Sequence, residues 1–322
     1  MRFILVGSGQ LGSRHLQGVL KNPSITEVWV IDEWKSSLEL AYQRSSEVPH
    51  HAIIHFQDGF SNLPEEVDVC IISGTANVRM DHIKSILKKV KVRFLVLEKI
   101  LFNSSADFEE SKSLFSRYPD MKIWVNHPRR MFKFYQLVEN FFNSIENESF
   151  FVDIRGNDWG IACNALHYID LWCFLRNTEV DQIDFFNQNN TIVNSKRTSF
   201  IEVHGSIKVD FANGDALQMT SEILPDLKSI SISVKGELVE YVIDESESLR
   251  LFNKEDGDKL IEGEIEYQSN LSKELIDGLL QHDELPLTTY AEAFSMHQKF
   301  VLSAIDWYNF KLNKSESFIP VT

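Results

Sequence analysis

The residues most suited to chemistry stand at the front of the chain. There a short apolar run, Phe3 to Val6, leads into Gly7, Gly9 and Gly12 at G-x-G-x-x-G spacing. Gly7 permits a tight turn out of a strand, Gly9 lets a pyrophosphate approach bare backbone, and Gly12 lets the next helix pack close to the strand. A helical pattern (Leu16, Val19, Leu20) follows, then a second strand, Glu27 to Ile31, ending in Asp32, which lies 20 residues beyond Gly12. An acidic residue at that distance accepts hydrogen bonds from ribose hydroxyls. Strand, glycine turn, helix, strand and acid together predict a dinucleotide site built from Gly7, Ser8, Gly9, Gln10, Leu11, Gly12 and Asp32. Gly74, Thr75, Asn77, Glu98 and Lys99 join them at the ends of later strands. Asp32 favours NAD over NADP because it would repel a 2′-phosphate, although Lys35, one turn on, offsets part of that repulsion.

A second set of reactive side chains is scattered further along. Glu98 and Lys99 end an apolar strand on the edge where ligands are expected. Cys163, His167 and Asp170 are spaced i, i+4, i+7 and share one face of an otherwise apolar helix, provided that helix begins early enough. A His and an Asp on such a helix need a reason, because burying them unpaired costs several kcal/mol, in round figures. Catalysis is one reason; a histidine satisfied by Asp170 in the core is the other. Arg129 and Arg130 can grip a substrate hydroxyl, carboxylate or phosphate in a bidentate fork, or pin the two domains together. His50, His51 and His55 offer no fourth ligand at suitable spacing, so no metal is expected.

The elements that must position these residues fall into two groups. Residues 1–125 alternate strand and helix: helical at Ser36 to Arg44, Asp81 to Val90 and Ala106 to Tyr118, extended at Ala52 to Phe56, Val67 to Ser73, Val92 to Leu97 and Lys122 to Val125. That alternation predicts an α/β Rossmann domain, a doubly wound parallel sheet with right-handed crossovers. Residues 126–322 read as an α+β domain with a large, mainly antiparallel open sheet. It has helices at Tyr135 to Ser144, Ala165 to Leu175 and Tyr290 to Phe310, and strands at Ser149 to Arg155, Thr198 to Phe211, Ala216 to Ile223, Ser229 to Lys235 and Leu238 to Ile243. Asn213-Gly214 between two alternating runs signals a hairpin, and the acidic stretches DESES and KEDGDK read as solvated hairpin ends.

A net charge of −15 argues against a nucleic-acid or anionic-membrane surface, since both require clustered cations. No apolar run reaches the roughly 18 residues of a membrane span, and the start has no signal-peptide pattern, so a soluble, cytoplasmic protein is expected. Three cysteines, two of them about 15 Å apart along one helix, fit a reducing compartment.

In order and spacing, GSGQLGSRH at 7–15, IISGTAN at 71–77, LEK at 97–99, VNHPRRM at 125–131 and ALHYID at 165–170 resemble the Gfo/Idh/MocA oxidoreductases, as does the closing segment at 285–307. The resemblance implies NAD(P)-dependent oxidation or reduction of a sugar, polyol or nucleotide sugar, with a homo-oligomer formed through the C-terminal sheet. It implies Lys99 and His167 as the catalytic pair, and Arg129, Arg130, Cys163 and Asp170 among the substrate-binding residues. Two positions depart from the family pattern. Ile100 replaces a proline after the lysine, and Cys163 stands where many members have an aspartate. Those departures keep open a dinucleotide-binding sensor of little activity, and the resemblance itself leaves room for an NAD-assisted epimerase or glycosidase.

Overall fold

Continuous apolar runs become strands buried on both faces, while alternating runs become strands with one wet face, and the two kinds segregate along this chain. The computed structural model describes residues 1–145, 148–187, 189–223 and 230–322. It divides into two compact units: Met1–Phe102, Asp107–Pro128 and Glu266–Tyr290 form the first, and Asn103–Ala106, Arg129–Ile265 and Ala291–Thr322 the second.

The chain begins β1 (Arg2–Val6), α1 (Gly12–Leu20), β2 (Glu27–Ile31), α2 (Lys35–Ser46), β3 (Ile53–Gln57), β4 (Glu66–Ile72), α3 (Ala76–Leu87), β5 (Lys91–Glu98), α4 (Ser105–Phe115) and β6 (Lys122–Asn126). It continues α5 (Lys133–Asn143), β7 (Phe151–Asn157), α6 (Ile161–Arg176), β8 (Val180–Asp184), β9 (Thr191–Asn194), β10 (Ile201–Phe211) and β11 (Ala216–Glu222). Then come β12 (Ser231–Lys235), β13 (Glu240–Asp244), β14 (Leu249–Asn253), β15 (Lys259–Gly263), α7 (Gln268–His282), β16 (Thr288–Thr289) and α8 (Tyr290–Leu312).

In the first unit the parallel strands run β3-β2-β1-β4-β5-β6, with β16 antiparallel on the β6 edge. This is a Rossmann sheet, whose strand order reverses between β1 and β4, so the turn after β1 opens at the crevice such sheets offer to ligands. Phe3, Ile4 and Leu5 on β1 and Val69 to Ile72 on β4 are fully buried, as their apolar runs require. The segment 266–290 belongs with this unit, whereas the sequence reading assigns it to residues 126–322. Close helix packing is the reason: Gly18 on α1 has no room for a Cβ, which would lie 2.4 Å from the Ser269 carbonyl oxygen on α7. The stripe Leu271, Leu275, Ile276 and Leu279 marks α7 as a helix, although polar Asp277 and Gly278 obscure it in the sequence.

The second unit is built on a sheet ordered β15-β14-β13-β12-β7-β11-β10-β8, with β9 on β10. Among the described residues β7–β11 is its one parallel pairing, so the sheet is mainly antiparallel. Helices α5 and α6 pack together, α6 against β10 and β11. Strand residues alternate accordingly: Val152 and Ile154 are buried, while Phe151, Arg155, Lys208 and Lys235 are exposed. The expected strand Thr198 to Phe211 begins at Ile201, because Ser199 takes a positive φ of 70° and ends any extended run. Ser229, expected to open a strand, lies outside the described residues, and β12 begins at Ser231. Among the described residues no helix is long and apolar enough to cross a membrane.

Candidate functional site

The glycine turn is shaped by contacts that leave no space for side chains, except on one side. Gly7 has φ +85°, and a Cβ there would lie 2.6 Å from the Gly74 nitrogen; a Cβ on Gly12 would lie 1.9 Å from the Gly7 carbonyl oxygen. Gly9 is different: a Cβ there would meet nothing within 4 Å. Backbone is therefore bare and open at the middle glycine, above the first N–H groups of α1, which is what a pyrophosphate needs. Asp32 is fixed beside it. Its Oδ2 accepts from the Ser8 N–H at 2.6 Å and its Oδ1 from the Trp34 N–H at 2.9 Å. Gln10 is held outside the turn, its carbonyl and side-chain oxygens accepting from Arg44 at 2.7 and 2.6 Å. Leu11 holds the N-cap position of α1 with no side-chain bond to the helix.

At the end of β4, Gly74 and Thr75 lead into α3, which starts at Ala76 and not at Asp81 as the periodicity suggests. The earlier start matters because it places Arg79 on the helix, one turn in. Arg79 is 1% exposed. Its guanidinium donates to the carbonyls of Gly74 at 2.6 Å, Leu101 at 2.8 Å and Ile100, tying the turn after β4 to the segment that follows Lys99. Ile100 therefore lacks a proline's stiffness but has its carbonyl clamped from α3. The Lys99-Ile100 peptide is cis. The His82 ring lies against Gly74, with Nδ1 2.9 Å from the site of a Cβ there. Burial, then the nearby Arg79 cation, pull its pKa below the ordinary histidine value.

Glu98 is expected among the cofactor-binding residues, and the structure turns it inward. It is 3% exposed and belongs to a buried polar network within the first unit. Its Oε1 accepts from Asn126 at 2.6 Å and meets His15 Nε2 at 2.9 Å, while His15 Nδ1 meets the Ser272 hydroxyl at 2.8 Å. Glu98 thus joins α1, β6 and α7 behind the ligand edge. Lys99, next along, is half-buried, and Asn77 is exposed on the first turn of α3.

In the second unit α6 runs from Ile161, so Cys163, His167 and Asp170 do lie on one helix. Cys163 and His167 are half-buried. Asp170, expected to bind substrate, is instead fully buried and closed by Arg130, whose Nε and Nη2 donate to its two oxygens at 2.9 and 2.7 Å. That fork ties α6 to the Arg129–Arg130 segment and leaves neither partner's main polar edge for a ligand. Burial pushes the Cys173 thiol up to about 12, so it is no thiolate near neutral pH.

Arg129, also expected to meet substrate, is held the same way by Glu245. Its Nε and Nη2 donate to the two Glu245 oxygens at 3.0 and 2.9 Å, and its guanidinium lies 4.5 Å over the Tyr168 ring. Tyr168 donates to Glu245 at 3.0 Å, and the Tyr135 hydroxyl donates as well. Glu245 belongs to DESES, so the expectation of a solvated hairpin end fails at this residue. Burial alone would raise its pKa, but Arg129 and the two tyrosine hydroxyls outweigh burial and hold it below the ordinary carboxyl value. The sequence carries no local sign of this, since its partners come from 77 to 116 residues away. His55, by contrast, sits on the edge of the first sheet, stacked on Trp29 and paired with Glu27 at 2.9 Å.

No protein-family model matches the sequence, and comparison with curated protein sequences gives no match. Solved structures match its fold over nearly the whole chain. Scyllo-inositol dehydrogenase from Lactobacillus casei, solved with NAD(H) and scyllo-inositol, is 13% identical, with 98% of each chain covered and a TM-score of 0.66. UDP-N-acetylglucosamine 3-dehydrogenase from Acidithiobacillus ferrooxidans is 13% identical, with 94% of this chain and 95% of that one covered and a TM-score of 0.65. An oxidoreductase from Agrobacterium radiobacter, solved with NAD+, L-tartaric acid and magnesium, is 13% identical, with 98% of each chain covered and a TM-score of 0.67.

Proposed function

We propose that this chain is an NAD-dependent oxidoreductase of the Gfo/Idh/MocA type, moving a hydride between nicotinamide and a carbinol of a sugar, polyol or nucleotide sugar. The observation that carries the reading is the glycine turn, closed around Gly7 and Gly12 and open at Gly9, with Asp32 fixed beside it. The fold likeness to inositol and UDP-sugar dehydrogenases supports the carbinol chemistry. When bound, nicotinamide supplies the hydride exchange at its C4 carbon. The chain's own residues do the rest. His167 takes the hydroxyl proton as general base, and Lys99 donates a hydrogen bond to the same oxygen as it becomes alkoxide. Arg130 with Asp170, and Arg129 with Glu245, hold the α6 scaffold that carries His167.

Calorimetric titration tests the cofactor half of the reading. NADH should bind more tightly than NADPH, because Asp32 accepts ribose hydroxyls and repels a 2′-phosphate. Gly9→Ala should lower NADH affinity by roughly tenfold or more while the melting temperature stays close to wild type, since the added Cβ meets nothing within 4 Å. Tighter binding of NADPH would sink the reading. We also infer a homo-oligomer formed through the exposed face of the second unit's sheet, for which light scattering should give a multiple of the 37.2 kDa chain mass. A monomer at micromolar concentration would remove that inference. Cys163 favours one rival, a dinucleotide sensor, which NADH production separates from a dehydrogenase.

A further inference from the structure

Glu202 reaches from β10 to the first turn of α6. Its Oε2 accepts from the backbone N–H of Ala162 at 3.0 Å and of Cys163 at 3.3 Å. Gly160, just before the helix with φ +69°, leaves room for it: a Cβ there would lie 3.0 Å from Glu202 Oε1. Gly160, at the N-cap position, has no side chain to cap the helix, so the Glu202 carboxylate, delivered from a strand, accepts from the first-turn N–H groups. A helix N-terminus favours such a charge, and the hydrogen bonds fix where it stands. His167 follows Cys163 by four residues, one turn up the same face and about 6 Å along the axis. Helical Cα–Cβ bonds lean toward the N-terminus, so the imidazole leans toward the turn that holds Glu202.

We propose that Glu202 is the positioning carboxylate of His167, a fixed negative charge that favours the protonated imidazole and strengthens it as a base. The inference rests on the reading of His167 as the general base and adds the group that sets its strength. Among the described residues near this end of α6, Asp158 pairs with His204 at 2.7 Å, Arg129 with Glu245, and Arg130 with Asp170. Cys163, on the same turn, offers a thiol where a carboxylate would add charge.

Histidine side-chain NMR titration of the full chain tests this without requiring turnover, the His167 signal being identified by its loss in His167→Ala. Glu202→Gln keeps an oxygen to accept from Ala162 and Cys163 but removes the charge. The His167 midpoint should then fall by about one pH unit, and adding Cys163→Asp should bring it at least halfway back. If the amide variant does not fold, Glu202→Asp withdraws the charge by one methylene and should lower the midpoint by a smaller step. An unmoved midpoint in the folded variant overturns the proposal. A midpoint that moves, together with full turnover in His167→Ala, upholds the electrostatic link and removes the reading of His167 as base. If both hold, the acid limb of the kcat profile should move to lower pH by the same step.

Discussion

Lys99 and His167 are held by different means. Around Lys99 the grip is largely on main chain: Arg79 binds the carbonyls of Gly74, Ile100 and Leu101, and the turn after β1 packs backbone on backbone at Gly7 and Gly12. Around His167 the grip is on side chains, since α6 is fastened by the Arg130–Asp170 fork and, through Tyr168, by the Arg129–Glu245 pair. Main-chain clamps tolerate changes in neighbouring side chains as long as the backbone path survives. Side-chain clamps fail as soon as one partner is lost, because the other is left charged and buried. The first unit should therefore tolerate substitution around its reactive residue except at Arg79 itself, whereas the second should prove brittle at either partner of each pair.

The sharpest way to break that contrast is at Glu245. Glu245→Ala strands a half-buried guanidinium and leaves two tyrosine hydroxyls without their acceptor, and should cost about 3 kcal/mol or more, read by urea unfolding; a loss near zero would show that the second unit does not depend on the pair. The same carboxylate has a pH signature. Its pKa in the folded chain is depressed, so its contribution is complete above the ordinary value of about 4.5 and is lost as pH falls through the depressed one. Wild-type stability should thus fall more steeply below that pH than the stability of Glu245→Gln. Arg79→Met sharpens the other side of the comparison. It leaves buried carbonyls unpaired and should cost about 2–3 kcal/mol, with kcat reduced because the Lys99 segment loosens. A cost of a few tenths of a kcal/mol would show that backbone packing alone holds the Lys99 turn.

What was legible in the sequence follows the same division. The glycine spacing, the strand ending in Asp32 and the turn at Gly74 are local signals, and the parallel sheet could be read from continuous apolar runs. Arg79 can be found as a charge on the apolar stripe of Ala76, Met80, Ile83 and Leu87, but a helix read from Asp81 onward leaves it outside the element. Glu98 reads correctly as a strand end but not as an inward-facing side chain, because the partners that turn it inward are His15 on α1, 83 residues before it, and Asn126 on β6, 28 residues after it. Glu245 and Glu202 were illegible for the same physical reason. A carboxylate in a polar stretch reads as solvated until the fold brings an arginine or a helix end to it.

The central claim is that Lys99 and His167 act on one substrate oxygen while nicotinamide takes the hydride. Net NADH formation across a panel of polyols, sugars and nucleotide sugars tests it most directly, in wild type, Lys99→Ala, His167→Ala and the double variant. Each single change should lower turnover by about a hundredfold or more with NAD affinity little altered, and the double variant should lose less than the product of the two. Turnover on a substrate of wild type that survives both alanine changes would contradict the account, as would tight NAD binding with no NADH formed from any member of the panel.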